Sequence, residues 1–291
     1  MKALFLNIGS ELTIKKMLLL EEAIKHEKPD IFCIAEGYSC CLRVPGRLTC
    51  SAIEYLFSSK GYEPYYLPTY SYNAALGLGY RFNKFGLKVF VRNSYIPRAT
   101  FTGAEQREEG RYIILRTEVN DKLTTFIFLH GKAKEGNANQ GDDQYNHMVR
   151  LNDMINFGEV IDASERVIIM GDFNLEPWDS ILSGKRIFNT TFFHNRNLVY
   201  HRRTGNDRIF YNPILEFVVK STTTNLGGTF YNDRTGWALF DTILYDTSQG
   251  AVRFDVLTQL AKSHLLNTSP SIHQSFLNDN LDHLPILAEI K

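Results

Sequence analysis

The sequence has no excess of charge of either sign: 32 basic residues stand against 32 acidic ones. A protein that holds nucleic acid chiefly by phosphate attraction carries a basic excess. Any such contact here has to come from a local basic surface, and a small phosphorylated substrate stays open. Long apolar runs are missing as well. No segment approaches the roughly 20 residues that cross a bilayer as a helix. The apolar stretch Met1 to Asn7 is shorter than a signal h-region and leads into a charged helix. Cysteine is scarce: Cys33, Cys40, Cys41 and Cys50 are the only four, and their spacing lacks the paired C-x-x-C of a structural zinc site. Cys33 reads as a small core residue in the run Ile31 to Ile34. Reduced thiols in a cytoplasmic protein are the expectation. No Pro/Gly/Ser-rich linker and no internal repeat divides the chain, which reads as one domain over residues 1–291.

What the sequence does contain is short β-type runs alternating with a few amphipathic helices. Ala3 to Ile8 reads as a buried strand. Leu12 to His26 places Leu12, Leu18, Leu19 and Ala23 at helical spacing, and Pro29 ends that helix. Ile31 to Ala35 is a second buried strand, and Ser51 to Lys60 a helix closed by Gly61. The pattern then turns β-rich, with strands at Ala75 to Tyr80, Leu87 to Val91, Tyr112 to Val119 and Thr124 to His130. Met148 to Ile161 is helical, and Val167 to Met170 is a fully apolar strand. A polar, aromatic region runs from about Phe188 to Thr235. Strands return at Leu239 to Tyr245 and Pro285 to Ile290, with a helix around Val256 to Leu266. Strand–helix pairs at both ends and a β-rich middle predict an α/β fold: a four-layer sandwich of two mostly antiparallel sheets face to face, helices outside.

The strongest local signal is Ile168-Ile169-Met170-Gly171-Asp172-Phe173-Asn174-Leu175-Glu176-Pro177. An apolar strand ends in a carboxylate, followed two residues later by an amide. Residues i and i+2 at a strand end point the same way, so Asp172 and Asn174 can face one cleft. A carboxylate there polarises water, and an amide donates to a phosphate oxygen. Taken alone, a strand-to-turn junction accounts for the same residues equally well, because Asp and Asn cap and turn.

The segment does not stand alone. Gly171-Asp172-Phe173-Asn174 resembles the G-D-x-N signature of the endonuclease/exonuclease/phosphatase superfamily, and further elements of that pattern follow in order along the chain. Leu6-Asn7 resembles the first-strand asparagine, with leucine where tryptophan is usual. Pro29 to Glu36 resembles the second strand that ends in a metal-binding glutamate, with Ala35 in place of glutamine. Asp282-His283 with Pro285 resembles the terminal D-H-x-P motif, with Leu281 in place of serine. Asp241 resembles the aspartate that orients that histidine. Leu129-His130 and Glu109-Gly110-Arg111 resemble elements found in DNase I-like and abasic-site members.

The resemblance implies magnesium (or manganese) held by Glu36, Asn7 and Asp282, hard cations suited to oxygen donors. It implies Asp172 as the group that orients or deprotonates water and Asn174 as a phosphate donor. His283, oriented by Asp241, contacts the phosphate, and His130, with Glu109, stabilises the transition state. Each residue alone also has a plain structural explanation as a strand-end amide, solvent-facing carboxylate, core histidine or turn cap. Substrate contacts expected from the loops are Arg111, Arg202, Arg203 and Trp237. Tyr200 to Tyr211 interleaves bases with aromatics, as a nucleic-acid grip or as a solvated loop. Thr242 stands where inositol 5-phosphatases carry arginine. The expectation is a divalent-metal-dependent phosphodiesterase, foremost a nuclease on DNA or RNA, with a small phosphorylated molecule or lipid head group as the alternative substrate. A catalytically silent binding module is the third reading.

Overall fold

The protein is described by a computed structural model covering residues 1–9, 12–36, 50–65, 87–95, 104–107, 111–133, 145–146, 148–149, 151, 165–184, 188–192, 208–221, 228–232, 235–246, 252–258, 260 and 281–290. Expectations for Ala75 to Tyr80, for most of Met148 to Ile161 and for the expected helix past Leu260 lie outside these residues, as do Glu109, Arg202 and Arg203.

The first sheet begins with β1 (Lys2–Asn7), which runs through helix α1 (Ile14–Glu27) into a parallel neighbour, β2 (Ile31–Ala35). Thr13 caps α1 by accepting from the Lys16 amide at 3.2 Å, and Lys28 closes it in the left-handed conformation. The buried stripe of α1 is Leu19, Leu20, Ala23 and Ile24. Leu18, expected on that stripe, is 46% exposed: the i, i+1, i+4, i+5 set turns it to solvent. Helix α2 (Cys50–Ser59) follows, then β3 (Tyr62–Pro64) and β4 (Leu87–Arg92). Phe57 of α2 stacks on Phe90 and meets Phe32 edge-on, which fastens the helix to this sheet.

The second sheet is built from β5 (Ala104–Arg107), β6 (Tyr112–Val119), β7 (Lys122–His130) and β8 (Arg166–Asp172). After the short helix α3 (Ser180–Ser183) come β9 (Thr190–Thr191), β10 (Phe210–Tyr211) and helix α4 (Ile214–Ser221). A small hairpin, β11 (Phe230–Asn232) with β12 (Gly236–Ala238), precedes β13 (Asp241–Asp246). The chain returns to the first sheet with β14 (Val252–Val256) and β15 (Ile286–Ile290). Strand order is β14-β15-β1-β2-β4-β3 in one sheet and β5-β6-β7-β8-β13-β10-β9 in the other.

Most pairings are antiparallel; β1 with β2, β7 with β8 and β9 with β10 are parallel. Alternation along β6, β7 and β8 sends Ile113, Leu115, Phe126, Phe128, Ile168 and Met170 into the core shared with the first sheet. Their neighbours Ile114, Ile127, Val167 and Ile169 face outward onto Met148 and Leu151. The expected sandwich, with helical segments outside two face-to-face sheets, is the one found.

Three expectations need correction. Val256 ends a strand paired with β15, continuing the register that matches Val252 to Ile290, and the expected helix begins after it, with Thr258 and Leu260 helical. The strand expected from Leu239 starts at Asp241, since the Leu239 amide is taken by the Glu176 carboxylate and the Phe240 carbonyl by the Phe173 amide. Among its described residues the polar region contains one helix, α4, opened by Asn212-Pro213, where the Asn212 Oδ1 accepts from the Ile214 amide. Among the described residues no helix is long and apolar enough to cross a membrane.

Candidate active site

Two parallel pairs place four strand ends at one edge of the sandwich. Parallel strands finish together, so Asn7 lies beside Ala35, directly before Glu36, and His130 lies beside Asp172. Strand β13 enters from the same edge with Asp241 opposite Asp172. His283 stands just before β15, whose Ile286 pairs with Phe5, so it reaches the level of the β1 terminus.

Local backbone chemistry makes this approach close. Gly171 has φ 154°, and a Cβ there would lie 1.9 Å from the Leu129 carbonyl oxygen. A Cβ on Gly131 would lie 2.3 Å from the Phe173 oxygen. These contacts let β7 and β8 interlock past their last residues, where the Gly131 amide donates to the Asp172 carbonyl at 2.7 Å. Glu36 and Asn174 both adopt left-handed backbone, φ 61° and 52°. Asn tolerates that region, and its amide is held by Asp172 Oδ1 at 2.8 Å. Glu36 has no such exemption, so its geometry stores on the order of 1–2 kcal/mol of strain.

Asn7 is the hub. Its Oδ1 accepts from the Gly9 amide at 2.9 Å, which fixes the orientation of the side chain. Its Nδ2 therefore faces Asp172 Oδ2 at 3.2 Å, Glu36 Oε1 at 3.3 Å and His283 Nε2 at 3.4 Å. His283 Nδ1 meets Asp241 Oδ2 at 2.8 Å, while its Nε2 lies 3.7 Å from Asp172 Oδ2 and 3.9 Å from Asp282 Oδ1. His130 Nε2 lies 3.4 Å from Glu36 Oε1 and 3.9 Å from Asp172 Oδ2. Asn7, His130, Asp172, Asp241 and His283 are all buried; Glu36 and Asp282 keep side-chain exposures of 25% and 45%.

Burial of opposed charges sets the electrostatics. Burial pushes the Asp172 carboxyl up to about 6, while His283, His130 and the Asn174 amide pull against it and Asp241 pushes with it. Asp241 is raised as well, chiefly by burial, against the pull of His283. Burial works against a charged His283, but Asp241, Asp172 and Asp282 outweigh it and hold the imidazole well above its ordinary value. A cationic His283 between two carboxylates is the resulting state.

Of the residues singled out in the sequence, Asn7, Glu36, His130, Asp172, Asp241, Asp282 and His283 thus converge. Asn174 joins through its Nδ2, which donates to the Gly131 carbonyl at 3.0 Å. Arg111, expected at the substrate, is buried and turned into the protein, where its Nη1 donates to the same Gly131 carbonyl at 3.0 Å. A buried guanidinium seeks carbonyl dipoles when solvent is withheld. Trp237 is half-buried on β12 and meets Tyr231 edge-on at 5.2 Å. Sequence reasoning missed Phe230, whose ring lies 4.7 Å from that of His283 and stacks on Phe240. It also missed Thr229, whose hydroxyl oxygen accepts from the Asp241 amide at 2.9 Å. Nothing local marks either residue, because both reach the site through the hairpin that follows Gly228.

Ligand atoms of Asp172, Asp241 and His283 lie within 4.8 Å of one another. That trio is wholly buried, and its His283 Nδ1 is already engaged by Asp241. A hard cation wants several oxygens and retained waters. Glu36 beside Asp172 fits better, since both carboxylates turn an oxygen toward the same amide and Glu36 opens to solvent.

A family model described as the Endonuclease/Exonuclease/phosphatase family matches residues 4–257. No curated protein matches the chain. Solved structures share the fold at low identity. The D. rerio TDP2 complexed with single strand DNA product is 13% identical at a TM-score of 0.56, covering 99% of this chain and 97% of that one. An AP endonuclease from Archaeoglobus fulgidus is 16% identical at 0.52, covering 100% and 99%. ANGEL2, a 2',3'-cyclic phosphatase, is 13% identical at 0.54, covering 99% and 93%.

Proposed function

We propose that this chain, which belongs to the Endonuclease/Exonuclease/phosphatase family, is a magnesium- or manganese-dependent phosphodiesterase that cleaves DNA or RNA. One observation carries the reading: a buried Asp172 carboxylate sits between two histidines and an amide, with the more exposed carboxylate of Glu36 beside it. Membership of the family makes the chain a phosphoester hydrolase; the nucleic-acid substrate is our inference from the family and from the TDP2 and AP endonuclease likenesses. We take residues 1–291 as one domain, because both sheets supply the site.

Glu36 would hold the cation, with Asp282 at its margin and Asn7 fixing the Glu36 carboxylate through Nδ2. Bound there, the cation supplies Lewis-acid neutralisation of charge on phosphoryl oxygens. Asp172 accepts the proton of the attacking water, a task suited to a carboxylate whose pKa has moved toward neutrality. His283, kept cationic by Asp241, donates to a phosphoryl oxygen. Asn174, whose Nδ2 donates to the Gly131 carbonyl, is the expected amide donor to the phosphate. His130 supports Glu36 and the leaving group, with Glu109 as its expected partner. Arg111 positions Gly131, and through it Asn174, in place of touching substrate. Arg202, Arg203 and Trp237 stay as candidate substrate contacts. A cytoplasmic location suits the free thiol of Cys33.

The test is cleavage of a panel of DNA and RNA substrates with magnesium, manganese or chelator, for wild type and Asp172→Ala. Metal-dependent cutting lost in the variant supports the reading; a folded, metal-supplied protein that cuts no nucleic acid sinks it. The second reading, hydrolysis of a small phosphorylated molecule or lipid head group, is favoured by the balanced charge and the ANGEL2 likeness. Insensitivity of turnover to salt would support it, since backbone binding weakens steeply as salt rises.

A further inference from the structure

Trp178 is 60% exposed, four residues past Asn174 in the chain, and takes no part in the core. The turn that presents it is braced on every side. The Asp179 amide donates to the Glu176 carbonyl at 2.9 Å, so Pro177 occupies the second and Trp178 the third position of a β-turn. Leu175 before the turn and Leu182 after it are buried. Glu176 Oε2 accepts from the Leu239 amide at 3.3 Å, and Asp179 Oδ1 accepts from the Ile181 amide at 3.0 Å. The turn is therefore rigid, and its tryptophan is the side chain it turns outward. An indole held out in water by a fixed backbone contributes little to folding, and it has little conformational freedom left to lose when a flat partner arrives.

Position narrows the partner. Four residues of chain from Asn174 to Trp178 reach at most about 14 Å. At about 3.4 Å per stacked nucleotide, that is within roughly four nucleotides of the reacting phosphate. Charge narrows it further. Glu176 and Asp179 lie on the same turn as Trp178, and each carboxylate accepts from a backbone amide. Their negative charge disfavours a phosphate lying over Trp178 and leaves the uncharged face of a base as the group it accepts.

We propose that Trp178 is a stacking platform for an unpaired nucleobase of the substrate strand, a few nucleotides from the scissile phosphate. This rests on the nuclease reading and sharpens it: the preferred substrate presents at least one unstacked base beside the cleaved bond. Trp178 is a specificity residue and touches no reacting atom.

Fluorescence and kinetics on the whole chain test it. The chain has two tryptophans, so the part of the emission that wild type has and Trp178→Phe lacks belongs to Trp178. In chelator, a short single-stranded oligodeoxynucleotide quenches that emission. With magnesium restored, Trp178→Ala in the otherwise wild-type chain raises KM for the oligonucleotide about 5- to 150-fold, the range for one base on one aromatic ring. Its kcat stays unchanged, Trp178→Phe recovers most of the loss, and hydrolysis of bis(p-nitrophenyl) phosphate is the same in all three. An unquenched indole, an unchanged KM, or an equal loss on the small diester overturns the proposal. Wild-type protein that cuts no oligonucleotide overturns the nuclease reading and this one with it. Wild type that cuts oligonucleotides as well as Trp178→Ala does removes this one alone.

Discussion

Replacing Asp172 by asparagine should stabilise the protein at alkaline pH while removing its activity. The carboxyl is 1% exposed and its pKa is displaced from 3.8 to about 6, chiefly by burial. At 1.36 kcal/mol per pH unit, the ionised form costs about 3 kcal/mol once pH is well above 6. The folded protein holds this proton more tightly than the unfolded chain, so stability falls as pH rises from about 4 through about 6 and stays reduced above that window. Asparagine removes the cost but gives part of it back. Its amide would face Asn7 Nδ2, losing a bond worth about 1 kcal/mol, and one of the carboxylates that keep His283 charged is gone. The net expectation at pH 8 is a gain of about 1–2 kcal/mol, or about 2–3 °C in Tm for a chain of this size. At pH 5 wild-type Asp172 is already protonated, and the variant should be equal or slightly weaker. Urea titrations in chelator at pH 5, 6, 7 and 8 measure this directly. A variant less stable than wild type at pH 8, or a difference that does not change with pH, refutes the reasoning.

Glu36→Gln should abolish the rise in Tm that magnesium confers on wild type, because it removes the one solvent-open anionic oxygen of the pair; a variant stabilised by magnesium as wild type is would move the cation site elsewhere. Gly131→Ala should cost about 2–4 kcal/mol and lower kcat, since its Cβ would collide with the Phe173 carbonyl 2.3 Å away and backbone there cannot yield without parting His130 from Asp172. Chemical denaturation with an activity assay checks both effects, and a fully stable, fully active variant would show that the strands can separate without consequence.

Parts of this site were legible before any fold was known. The apolar run that ends in Gly171-Asp172-Phe173-Asn174 reads as a strand with a carboxylate at its tip, and β8 is buried over all seven residues, Asp172 included. Glu36 and His130 could be placed at strand ends for the same reason. Arg111 and Leu18 were less legible, because a pattern names a face of an element and does not say what will cover it. Arg111 was expected at the substrate from its motif, and its Nη1 donates to the carbonyl of Gly131. Phe230 and Thr229 gave no local sign of reaching His283 and Asp241.

What the sequence alone determined is therefore the set of strand-terminal polar groups and the layering of the strands that carry them, because alternation and abrupt apolar-to-polar transitions are properties of neighbouring residues. Tertiary structure decided which of those groups meet. Asp172 and Asn7 are 165 residues apart in the chain and 3.2 Å apart in space. Their contact depends on two separate sheets ending at one edge of a shared core. The pKa of Asp172, the charge of His283 and the orientation of Asn7 follow from that packing, since each is set by burial and by partners drawn from distant strands.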